Sequence, residues 1–172
     1  MKKFELTAEF VTNVFGKKLF RIKALVAFGD VEKGELGGFI EKEGNLSHDG
    51  DAWVSGDAWV SGNAQVSGNA WVYGDARVSG NAQVSGDARV SGNADFSVVE
   101  GFGRYFRATT FFRCKDKILR VQCGCFYGDL TQFRKIVKKT HGDSKYAKEY
   151  LAIADLMELH FSDEEENQEA AE

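Results

Sequence analysis

Residues 50–97 read GDAWVS GDAWVS GNAQVS GNAWVY GDARVS GNAQVS GDARVS GNADFS, eight six-residue units with no insertion. Seven of the eight have valine at the fifth position, and all have alanine at the third. Strand alternation puts these two on one face, with the variable residue between them pointing away. Glycine followed by Asp or Asn supplies a turn after each short strand. A small residue near each corner and a β-branched one along each wall suit a narrow prism. Aligned on glycine, two degenerate units precede the run: GFIEKE from Gly38 and GNLSHD from Gly44. This alignment gives His48 an aliphatic position.

The regularity resembles the left-handed β-helix of hexapeptide-repeat proteins. That resemblance implies a mainly β chain with three hexads per coil, residue i stacking on i+18, and about three coils over residues 38–98. One outer wall would carry Trp53, Trp71 and Arg89. A second would carry Trp59, Arg77 and Asp95, and a third Gln65 and Gln83. Proteins of this kind assemble along flat walls, so Trp53, Trp59, Trp71 and Arg89 are expected at a homo-oligomer interface, a trimer before a dimer. The same aromatic ladder suits a binding face. Many relatives of this kind are acyltransferases whose catalytic histidine comes with loops projecting from the coils. These coils carry no such loop, and His141 and His160 lie far along the chain, so no catalytic residue is assigned.

A solenoid needs caps, because each end exposes a core layer and unpaired backbone. Residues 1–37 are expected to form the first, with a hairpin around Gly16-Lys17-Lys18. Residues 99–161 read as a small α+β module of two strands, 105–114 and 118–126, and two helices. Asp129 with Gln132 forms a capping box opening the first helix, and Ser144 starts the second. Residues 162–172 are acidic, lack aromatics and are expected to be disordered.

Charge is uneven. The net −4 conceals a segment, 101–161, with 12 lysines and arginines against 6 acidic residues. Within it, Gly101-Phe102-Gly103-Arg104-Tyr105-Phe106-Arg107-Ala108-Thr109-Thr110-Phe111-Phe112-Arg113 concentrates donors for an anion. Arginines pair bidentately with phosphate, threonine hydroxyls donate to it, and glycines let backbone approach it. Arg104, Arg107, Thr109, Thr110 and Arg113 are therefore the candidate anion site. Cys114, Cys123 and Cys125 have a C-x8-C-x-C spacing unlike a usual zinc site, so neither metal nor cofactor is expected; Cys123 and Cys125 read as small buried residues. Lys138, Lys139 and Lys145 come without a nucleic-acid-binding motif, and nucleic acid is not expected as a partner.

No run of about 18 apolar residues predicts a membrane span. No apolar h-region follows the basic start MKKFELTAEF, so no signal peptide is expected. With three cysteines, an odd number, these features lead to the expectation of a reducing, cytoplasmic setting. The string G-x-L-G-G-[FW]-I-E-K-E-x-N-L-S, the G-[DN]-A-x-V run, C-G-C-F-x-G and K-x-T-H-G-D-x-K-Y are similar to a family of small phage- and prophage-encoded proteins of unestablished activity. The resemblance spans Gly34 to Phe161. It implies a phage or mobile-element origin and supplies no activity; the reading that suits such an origin is an oligomeric, non-catalytic binding protein acting in counter-defence. Such a protein would sequester a phosphorylated, nucleotide-like ligand or block a host protein. The alternatives are a self-assembling, polymer-forming protein and a hexapeptide acyltransferase.

Overall fold

The computed structural model describes residues 1–162. The acidic stretch 163–172, expected to be disordered, lies outside the described residues. The chain opens with a hairpin of β1 (Phe4–Thr12) and β2 (Lys18–Ala24). Its turn is fixed by Asn13, whose Oδ1 accepts from the backbone N–H of Phe15 and of Lys17, both at 3.0 Å. β3 (Leu36–Ile40) adds antiparallel to β2 and then runs parallel to the first solenoid strands.

The repeat forms seven two-residue strands: β4 (Trp53–Val54), β5 (Trp59–Val60), β6 (Gln65–Val66), β7 (Trp71–Val72), β8 (Arg77–Val78), β9 (Gln83–Val84) and β10 (Arg89–Val90). They pair in parallel as three walls, β4-β7-β10, β3-β5-β8 and β6-β9. Within the repeat each residue pairs with the one 18 further on, as in Trp53 with Trp71 and Trp71 with Arg89. The repeat alanines and valines from Ala52 to Val90 are at most 1% exposed. Complete burial of a valine contributes about 1.5–3 kcal/mol. Corner glycines from Gly50 to Gly86 take φ between +61° and +70°. A Cβ on Gly68 would stand 2.9 Å from the backbone nitrogen of Gly86 in the next layer, so the corner requires glycine.

Two boundaries differ from the glycine-based alignment. Phe39 pairs with Trp59 and Leu46 with Val66, each 20 residues apart instead of 18. The aliphatic positions of the first layer are therefore Ile40 and Leu46, both buried. His48 falls in a two-residue excess between Leu46 and Val54. Its ring stacks on Phe4 with centroids 4.3 Å apart, Nδ1 accepts from the Lys3 N–H, and Nε2 lies 2.7 Å from Glu43 Oε1. At the other end, Gly92 adopts an extended φ of −160° and residues Asn93–Asp95 form a 3-10 turn. The eighth unit thus leaves the solenoid rather than continuing it.

The two ends of the solenoid have opposite hydrogen-bond polarity. At the edges of the short strands N–H groups donate to the next layer, as in Trp53 N–H to Ala70 O and Gln65 N–H to Ala82 O. At these positions the first layer leaves carbonyls to be capped and the last leaves N–H groups. Donors cap the first. Lys3 Nζ binds Gly50 O and Ala52 O, Asn45 Nδ2 binds Gly62 O and Ala64 O, and Phe39 N–H binds Ala58 O. Acceptors cap the last. Asn93 Oδ1 takes Arg77 N–H, Thr110 Oγ1 takes Gln83 N–H, and Asp95 Oδ2 takes Ser91 N–H. Buried backbone groups left unpaired cost free energy, which explains why buried Lys3, Asn45 and Thr110 are tolerated.

Beyond the solenoid lies a four-stranded antiparallel sheet rather than two strands: β11 (Phe96–Val99), β12 (Thr109–Arg113), β13 (Leu119–Cys123) and β14 (Phe126–Asp129), in that order. α1 (Leu130–His141) and α2 (Lys145–His160) follow. Asp129 and Gln132 form the expected capping box, and Ser144 caps α2 through Ala147 N–H. β12 is buried on both faces, with Phe112 against the solenoid core and Phe111 against the helices. The sheet is thus a lid on the solenoid and a floor for the helices.

Candidate functional site

The structure does not bring the five residues of the sequence-derived anion site together. Thr109 and Thr110 are 1% and 0% exposed. Thr110 is a solenoid cap, and the Thr109 hydroxyl donates to Cys123 Sγ at 3.3 Å. Both hydroxyls are absorbed because β12 is an interior strand. Arg113 lies at its far end, where Nη2 donates to Phe161 O at 3.0 Å and the guanidinium sits 5.6 Å from the Phe161 ring. Only Arg104 and Arg107 remain together. Both are exposed, and both guanidinium groups gather on Tyr105, at 5.6 and 5.1 Å from its ring centre.

These two arginines stand at the mouth of a cavity of about 220 Å³. Its apolar surface comes from Phe126 at the start of β14 and from Phe133, Ile136 and Val137 on α1. The i, i+3, i+4 spacing aims the three α1 residues one way. Phe133 also packs edge-on against Phe111 and Tyr150. Polar atoms enter from Cys123, Thr140, His141 and Tyr150. His141 stacks on Tyr150 with centroids 5.8 Å apart. Burial, and then the neighbouring Cys123, push the Tyr150 phenol up to about 12, so near neutral pH it stays a protonated donor.

The loop over the mouth is tied down at one end. Gly103 N–H donates to Glu149 Oε2 at 2.8 Å, and the Tyr150 hydroxyl reaches Phe102 O at 3.5 Å. Gly103 sits at φ +73°, and a Cβ there would overlap the Tyr150 phenol. Phe106 takes φ +54°, an uncommon conformation for a bulky residue. Neither cysteine of the pair Cys123 and Cys125 is a buried residue: Cys123 is half-buried, and Cys125 is exposed in the β13–β14 turn, where Gly124 at φ +59° reverses the chain between them. Cys114 is buried, and desolvation pushes its thiol up, away from reactivity.

The tryptophan wall also differs from its expectation. Trp53 shares one wall with Trp71 and Arg89, yet it is fully buried, under Phe28 of the N-terminal cap at 5.4 Å. Trp59 is partly covered by Arg77, whose guanidinium lies 3.8 Å from the indole centre. None of the three tryptophans is an exposed ladder rung, so Trp53 is not available to an interface.

Sequence reasoning missed Tyr105, Phe126, Ile136, Thr140, His141 and Tyr150 as cavity residues. The capping box places the start of α1, but it does not say which residues of the helix meet a neighbour and which meet a void.

No helix among the described residues is long and apolar enough to cross a membrane. No curated protein matches the chain. Residues 64–80, 70–85 and 82–94 match a family model described as the YdcK beta solenoid repeat. With its parallel walls, the chain is a mainly β, β-solenoid repeat protein.

Proposed function

We propose that this protein binds a small organic anion without transforming it. The solenoid serves as a rigid scaffold, and the C-terminal module supplies the cavity. The observation that carries the reading is that exposed Arg104 and Arg107 line a largely apolar pocket with a few polar groups. Pockets with apolar walls and a few convergent polar groups are the usual form of ligand sites. Among the described residues Cys123 accepts from Thr109 and His141 stacks on Tyr150, an arrangement that pairs no nucleophile with a base in the cavity. For a chain resembling phage-encoded proteins, retention without turnover suits sequestration of a host signal.

The same reading takes the solenoid as left-handed, with three hexads per coil; the 18-residue pairing interval supports the second of these. It also takes the chain as a homo-oligomer assembled through its flat walls. Light scattering giving a multiple of 19.1 kDa supports this, and a 19.1 kDa particle refutes it.

The binding test is thermal-shift screening of the full chain against organic acids, sugar phosphates and nucleotides, with an Arg104→Ala/Arg107→Ala variant alongside. A stabilising compound whose effect vanishes in the variant supports the reading. A screen in which no anion stabilises the wild type refutes it, and so does recovery of a chemically altered ligand.

A further inference from the structure

We propose that the cavity takes a nucleoside monophosphate: a planar heteroaromatic base inside, between the apolar wall and Tyr105, and one phosphate outside on Arg104 and Arg107. This rests on the binding reading above and narrows it to a ligand class. Volume is the first argument. Pockets for drug-sized ligands run to about 300–1,000 Å³. At about 220 Å³, this one holds a single ring system and leaves a charged arm at its entrance.

The lining is the second argument. Phe126, Phe133, Ile136 and Val137 offer an aromatic and aliphatic surface with nothing to pair a buried charge. A base offers a π-face to such a surface, and its polar edge finds Thr140, His141 and the Tyr150 hydroxyl. A sugar phosphate alone would leave the apolar wall wet.

The loop is the third. Phe102, Tyr105 and Phe106 are 44%, 64% and 71% exposed within five residues. Three exposed rings and one left-handed bulky residue are costly in a loop with no task, and such strain concentrates at ligand clamps. The Gly103–Glu149 bond fixes the base of the loop, from which Arg104, Tyr105 and Arg107 reach the cavity lining. Both arginines already converge on the Tyr105 ring, which puts the cations and the stacking ring at one place. Paired guanidinium groups match the charge of one phosphate dianion and can grip it bidentately.

The test is calorimetric titration of the full chain with AMP, UMP, ribose 5-phosphate and adenosine. At least one monophosphate should bind, with ribose 5-phosphate and adenosine each at least about tenfold weaker. Tyr105→Ala should weaken that monophosphate about tenfold, the loss expected for one base-stacking ring, and leave ribose 5-phosphate unaffected. Arg104→Ala/Arg107→Ala should remove phosphate dependence, so that monophosphate and nucleoside bind alike, with an unchanged melting midpoint. Ribose 5-phosphate binding as tightly as the monophosphates overturns the base assignment while the organic-anion reading stands. The same holds if both monophosphates fail but another organic acid binds through the arginines. If no anion of any kind binds, both fall together.

Discussion

Thr110 separates two accounts of the same residue. As a ligand donor it would be dispensable for stability. As a cap it takes the Gln83 N–H of the last solenoid layer at 2.9 Å, from a side chain with no exposed surface. Thr110→Val keeps the shape and removes the acceptor. The stranded N–H costs about 1–3 kcal/mol, and the near-equal volume adds little cavity cost. For a chain of 172 residues, a loss of about 2 kcal/mol lowers the melting midpoint by roughly 4–8 °C. Thr110→Ser is the counter-experiment: it keeps the hydroxyl and deletes one methyl, about 0.8 kcal/mol. Urea unfolding monitored by far-UV circular dichroism should rank wild type above Ser above Val, with equal m-values. A Val variant at or above the Ser midpoint would mean that packing alone matters and that the capping argument is wrong.

Other substitutions probe the remaining parts. Val72→Asp places a charge in the fully buried core and should cost several kcal/mol; a wild-type melting curve would contradict the packing. Gly103→Ala should displace Tyr150 or the loop, losing about 1–3 kcal/mol from strain at φ +73°, and an undisturbed midpoint would show that the loop is not seated there. Lys3 has its pKa lowered from 10.5 to about 8, by burial against the opposing pull of Asp51 and then Asp49. Between these values the unfolded chain holds the proton and the native chain does not, so Lys3 makes stability rise with pH, by at most about 1.4 kcal/mol per unit. Comparing wild type with Lys3→Met at pH 8 and 9.5 should show that rise lost in the variant; equal slopes would remove Lys3 from the account.

The solenoid was legible because its rule is local: a glycine able to take positive φ, then a small residue and a β-branched one on the same face. The helix starts were legible for a similar reason, since Asp129–Gln132 and Ser144 act within three residues. The first layer was misaligned because Gly38 looks like a repeat glycine but has another role. A Cβ there would stand 2.7 Å from Ala58 O, so Gly38 is small to let β3 approach the next layer. Strand β11 was missed because Gly92-Asn93-Ala94-Asp95-Phe96-Ser97 still reads as a hexad, and only the backbone of Gly92, extended at φ −160°, marks the departure. The covering of Trp53 by Phe28 joins residues 25 apart, and the cavity joins the 104–107 loop, the β13–β14 turn and both helices. Contacts of that range leave no periodic trace.

The 18-residue pairing interval makes the length of this protein a counted quantity. Inserting one full 18-residue block would raise the stack by one strand spacing, about 4.8 Å, and return the chain to the same wall. The C-terminal sheet would then meet its usual partners, and the cavity would survive. Inserting a single hexad adds the same chemistry but delivers the chain to a different wall, a third of a turn away. Thr110 would then face another corner, and β11 would start from the wrong side. Natural or engineered variants that keep the cavity should therefore differ in repeat length by eighteen, with six and twelve excluded.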